Sequence, residues 1–217
     1  MLKFLLILFL SSLVYANVIV QKPIPFTEKR INLTKEYIKA HYNLDVTDIK
    51  IIPKIILLHH TAIDDFEDSY SRFVDETLPS DRPDIASKNE SVNVSAHFMI
   101  ERDGVINQLM PLNFMGRHVI GLNYSSIGLE NVGGEKGADN LTDAQVKANI
   151  FLINYLKKKF DSIEYVVAHS EYRCFEQDKL WLEIDDNYRT KKNDPSMNFL
   201  NKIRDKITGF KNAPCKN

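Results

Sequence analysis

Lys54-Ile55-Ile56-Leu57-Leu58-His59-His60 is an unbroken β-favouring apolar run that stops at two histidines. A strand with one wet face alternates apolar and polar residues, so a run that is apolar at every position belongs to a central strand covered on both faces. Tyr165-Val166-Val167-Ala168-His169 repeats the pattern and also ends in a histidine. Between them, Ser95–Ile100 and Val105–Met110 flank Arg102-Asp103-Gly104. Asp-Gly between two apolar runs signals a hairpin, with positive φ expected at both turn positions, so antiparallel strands join the sheet. Ile127–Val132 reads as a further short strand, closed by Gly133-Gly134, and its one charge is Glu130.

Helical patterning fills the gaps between these runs. Thr142 with Gln145 forms a capping box, and Val146, Asn149, Ile150, Ile153, Leu156 and Phe160 continue one face. Phe66, Tyr70, Phe73, Val74 and Leu78 follow the same period, and a long polar loop then runs from Pro79 to Asn93. Loops of that length in a compact domain are often functional. A last helix is expected to start at Asp194-Pro195, with Pro at the first helical position and Leu200, Ile203 and Ile207 on its buried side. Residues 17–53 read as an N-terminal extension with a short helix near Thr34 to Tyr42, residues 54–210 as the main domain and 211–217 as a tail.

The chain has 217 residues, about right for one domain. Its 28 Lys and Arg against 29 Asp and Glu give a net charge of -1, so no global positive field recommends nucleic acid. Residues 1–16, MLKFLLILFLSSLVYA, have the form of a secretory signal peptide: a basic residue, a short apolar run and a small-residue ending at Ala16. The alternative is a retained anchor, but the run is shorter than the roughly 20 residues that span a bilayer. The expectation is therefore an exported protein, periplasmic or extracellular, without stable membrane insertion once the segment is removed. Export places Cys174 and Cys215 in an oxidising compartment, where they are expected to pair across a loop of about 40 residues.

Chemistry concentrates at the strand ends, where α/β folds build their sites. His59 and His169 each close an apolar strand, and imidazoles on a rigid sheet suit a metal ion. The alternative for each is a histidine that caps the core through hydrogen bonds. Asp194 can be read as a helix N-cap or as a third ligand. With the two histidines it makes a His2Asp set that leaves a fourth tetrahedral position open, as catalytic zinc sites do. Glu130 is either an ordinary strand carboxylate or, as a lone charge in an apolar strand, a group placed to handle protons. The two cysteines lack zinc-cluster spacing.

These segments, taken in order, resemble the zinc-dependent N-acetylmuramoyl-L-alanine amidases related to peptidoglycan recognition proteins. The segments are Ile55–Ala62, Val94–Gly104, Ile127–Glu130, Val167–Ser170 and Lys192–Pro195. The resemblance spans about Lys54 to Ile207. It implies an α/β fold with a central mixed sheet flanked by helices, a zinc ion and hydrolysis of the amide between N-acetylmuramic acid and L-Ala of the peptidoglycan stem. It also implies His59, His169 and Asp194 as ligands, Glu130 as the catalytic carboxylate and Lys192 as the oxyanion-stabilising cation, with Lys191 leaving that register open. His97 and His118 match positions that line the site and are expected to contact substrate, or else to be hydrogen-bonded core or rim histidines. The resemblance also chooses between His59 and His60, which the run itself does not. His60 is then expected to face the opposite layer and satisfy a core hydrogen bond. The expected enzyme is a monomer acting on the cell wall. The rival reading is a peptidoglycan-binding module on the same fold without turnover, and the complete ligand set favours the enzyme.

Overall fold

The computed structural model describes residues 18–86 and 92–215; the expected signal peptide lies outside them. In chain order the regular elements are β1 (Ile19–Gln21), α1 (Glu28–Tyr42), β2 (Ile55–His60), α2 (Phe66–Val74), β3 (Phe98–Ile100), β4 (Ile106–Gln108), β5 (Ser126–Asn131), α3 (Asp143–Lys159), β6 (Tyr165–Ala168) and α4 (Met197–Arg204). The strands make one mixed sheet in the order β1-β4-β3-β5-β2-β6. Only the β3–β4 hairpin is antiparallel; β1–β4, β3–β5, β5–β2 and β2–β6 run parallel.

Strand periodicity then sorts every side chain onto one of two faces. Ile56, Leu58, Ile127, Leu129, Val166 and Ala168 form the main core against α3 and α4. Ile55, Leu57 and Val167 point the other way, onto Val119, Ile120, Leu122, Tyr172 and Phe175. Both faces are covered, as the unbroken apolar runs require. The β2–β5 register sets His59 opposite Glu130. Adjacent partners in a ladder share a face, so the histidine and the carboxylate emerge side by side at the strand ends.

Local details depart from the sequence reading at several points. In the hairpin turn only Gly104 has positive φ (94°); Gly104 N–H donates to Glu101 O, and Asp103 instead accepts the Val105 N–H. The N-terminal segment is woven into the sheet: β1 extends its edge, and α1, longer than expected, packs Tyr37, Ile38 and Tyr42 on Ile49, Ile51 and Met115. The last helix starts later than expected. Ser196 is its N-cap, accepting the Phe199 N–H, so Pro195 stands ahead of the helix and Asp194 does no capping.

β6 lies at the sheet edge, although its residues are largely buried. An open edge invites pairing with another chain. Here it is covered: Lys211 N–H donates to Glu164 O, and Val166 N–H donates to Lys211 O. The covering tail is tied down by a disulfide between Cys215 and Cys174, which follows β6. Replacing both cysteines by serine is expected to cost about 3 to 4 kcal/mol through the entropy of the opened loop. Urea denaturation measures this, and an unchanged midpoint would show that backbone pairing alone holds the tail.

Candidate metal centre

The face shared by His59 and Glu130 opens into a cavity of about 310 Å3. His169, the residue after β6, continues the parity of Tyr165 and Val167 and so arrives on the same face. Asp194 reaches it from the segment ahead of α4, whose backbone is anchored where Ser170 N–H donates to Asp194 O. His59 Nδ1 lies 2.9 Å from His169 Nδ1 and 3.5 Å from Asp194 Oδ2, and His169 Nδ1 lies 3.1 Å from that same oxygen. Donor atoms around a tetrahedral zinc at about 2.0 to 2.1 Å sit roughly 3.3 Å apart. The three separations bracket that value, and two imidazoles with a carboxylate are a fitting donor set for zinc.

The electrostatics agree with it. Burial, reinforced by the neighbouring His169, lowers the His59 pKa to about 4, which keeps the ring neutral with a lone pair to give. Asp194 is held well below the usual carboxylate range: burial opposes ionisation, but His169 and His59 outweigh it. Glu130 behaves oppositely. It is 8% exposed, and its Oε2 has no hydrogen-bond partner among the described residues. Burial first, and then the negative charge of Asp194, push its pKa up to about 8, against the pull of Lys192 and Arg82.

Lys192 lines the cavity, whereas Lys191 is exposed. His118 also lines it. His97 does not fit the expected substrate role: it is 0% exposed, its Nδ1 accepts the Gly128 N–H and its Nε2 donates to Phe114 O. Burial lowers its pKa to about 4, so it is a neutral core histidine joining β5 to the loop after β4. His60 is half-buried, and its hydrogen bond is local rather than in the core: Nδ1 accepts the Ala62 N–H.

Sequence reasoning missed part of the wall. Arg82, from the loop after α2, and Tyr188, from the segment between His169 and Asp194, both line the cavity. Tyr188 OH donates to Ile85 O, and Arg117 donates to that hydroxyl and to the Val92 and Ile85 carbonyls, so one residue stitches the two long loops together. Loop length was the available signal, and it pointed to the loop without choosing a residue within it.

A family model described as N-acetylmuramoyl-L-alanine amidase matches residues 49–196. The chain belongs to this amidase family. The matched span takes in His59, Glu130, His169, Lys192 and Asp194. No curated protein matches the chain. Among solved structures, a selenomethionine derivative of AmpD is 21% identical, covering 89% of this chain and 96% of that one, with a TM-score of 0.53. PGRP-SA from bumblebee is 18% identical over 80% of this chain and 93% of that one, with a TM-score of 0.51. At such identities the similarity is one of fold, and it agrees with the mixed sheet described above for this amidase-family chain.

Proposed function

We propose that the chain is a zinc-dependent peptidoglycan amidase that hydrolyses the bond between the lactyl group of N-acetylmuramic acid and L-Ala of the stem peptide. The observation that carries this reading is the convergence of three ligand atoms, from His59, His169 and Asp194, beside the buried Glu130 carboxylate, whose Oε2 has no hydrogen-bond partner among the described residues. Those three residues would hold the ion. Zinc bound there supplies Lewis acidity, polarising water and the amide carbonyl.

Glu130 serves as the proton carrier. A carboxyl that burial makes costly to ionise is a strong base once ionised, so it takes a proton from the attacking water and gives it to the departing L-Ala nitrogen. The position of Lys192 on the cavity wall supports its role as the cation that meets the negative charge developing on the carbonyl oxygen. A preorganised donor of this kind typically contributes a few kcal/mol. The apolar part of the wall, from Ile63, Phe73 and Val119, excludes water around the reacting amide. No helix among the described residues is long and apolar enough to cross a membrane. Export and a role in wall remodelling belong to the same proposal, supported by the apolar composition of residues 4–10.

The purified protein should carry one zinc per chain and release stem peptides from purified peptidoglycan. Chelation should remove both metal and release, and added Zn2+ should restore them. Undiminished release from protein shown by elemental analysis to be metal-free would overturn the reading.

A further inference from the structure

His118 reaches His59 from the loop between β4 and β5, and its two ring nitrogens hold opposite partners. Nδ1 lies 3.0 Å from His59 Nε2, and Nε2 lies 3.2 Å from Ser126 Oγ. We infer that His118, backed by Ser126, is a positioning residue that fixes the tautomer of His59, keeping its Nε2 protonated and its Nδ1 lone pair turned toward His169 and Asp194. The inference rests on the reading of His59 as a metal ligand.

The direction of the chain follows from counting hydrogens. A serine hydroxyl has one proton. Ser126 gives it to Leu122 O at 2.9 Å, a carbonyl that can only accept. His118 Nε2 therefore faces an oxygen lone pair and must carry a hydrogen itself. A neutral imidazole has one N–H, so His118 Nδ1 is an acceptor and His59 Nε2 is the donor. The remaining lone pair of His59 is then on Nδ1, the nitrogen that approaches His169 Nδ1 and Asp194 Oδ2. Ligating histidines characteristically donate their other ring N–H to such a partner, which sets both tautomer and ring orientation.

The strand is built to hold this relay. Ser126, Gly128 and Glu130 share the cavity face of β5 by period two. A Cβ at Gly128 would come within 2.8 Å of the His118 ring, so the glycine leaves the space in which the imidazole lies. The backbone of His118 is fixed as well, because Asn123 Oδ1 accepts both the His118 and the Val119 N–H at 2.8 Å. One strand face thus supplies the serine that accepts from His118, the room for its ring and the neighbouring carboxylate.

The test uses the full chain stripped of metal. Zinc affinity is measured by competition with a chromophoric chelator, and the His59 tautomer by nitrogen-15 NMR of histidine-labelled protein. His118→Leu should weaken zinc binding by roughly 10- to 100-fold, the usual effect of losing such a partner. His118→Asn should recover most of it, because its amide oxygen can accept the His59 N–H in place of Nδ1. The metal-free wild type should show His59 protonated on Nε2. Wild type that binds no zinc would sink the metal reading and the relay with it. Wild type that binds zinc while His118→Leu binds equally well overturns the relay alone. Should His118→Leu fail to fold, the wild-type spectrum decides, and a His59 hydrogen on Nδ1 overturns the inference.

Discussion

Glu130→Gln is expected to retain the fold and its zinc while losing turnover by about 10^2- to 10^4-fold, the range associated with a positioned acid–base group. The substitution changes one atom and cannot accept the proton of the attacking water. Packing is preserved because the side chain is isosteric, and no hydrogen bond to Oε2 is lost, since none is made among the described residues. The same variant has a stability signature. A carboxyl raised by burial from 4.5 to about 8 binds more protons folded than unfolded between those values. Stability of the metal-free wild type therefore falls as pH rises through that window, by on the order of a few kcal/mol at about 1.4 kcal/mol per pKa unit. Glu130→Gln, which does not titrate, is relieved of this loss. Denaturation midpoints of metal-free wild type and variant should diverge in favour of the variant between pH 5 and 8. Near wild-type release of stem peptides by Glu130→Gln would remove Glu130 as the base.

Elements with a strict hydrogen-bonding period were readable in the sequence. β2, β6 and α3 follow from unbroken apolar runs and a capping box, because burial on two faces and helix capping leave local compositional marks. Alternation within a strand was readable, but not which of His59 and His60 faces the cavity; the pairing of β2 with β5 sets His59 beside Glu130. The position of Asp194 was harder. Asp194-Pro195 reads as the helix start, but the packing of Phe199 and Leu200 into the core goes with a first turn at Met197 and Ser196 as cap. His97 and His118 come from segments without long periodic runs, so residue type alone could not separate a core histidine from one in the cavity. Their ring nitrogens distinguish them: His97 is held by two backbone groups, His118 by a candidate ligand and a serine. Arg82 and Tyr188 are set by the path of long loops, which side-chain pattern does not encode.

His59→Ala and His60→Ala should give opposite metal contents despite being neighbours. β2 is buried on both faces, so the run Ile55 to Leu58 offers no polarity by which to choose between them. The cores make the choice: His59 has the parity of Ile55 and Leu57 on the cavity side, and His60 that of Ile56 and Leu58 on the side of α3. Removing the His59 imidazole takes away the donor atom shared by the contacts with His169 and Asp194, and zinc should be lost. Removing His60 deletes a bond to the Ala62 N–H, the packing of its ring over Gly134, where an added Cβ would lie 2.5 Å from Nδ1, and part of the cavity lining, but none of the three converging ligand atoms. Ala62 holds φ at 57°, a conformation unfavourable for a residue with a Cβ, so this bond helps to keep the turn after β2 closed. A hydrogen bond of this kind contributes about 1 kcal/mol. In a chain of this size that corresponds to a fall of about 2 to 4 °C in thermal midpoint, with one zinc per chain retained. Elemental analysis and thermal denaturation of both variants read the two effects separately. A His60→Ala protein that folds normally but carries no zinc would move the first ligand by one residue, and with it the parity that sets His59 beside Glu130.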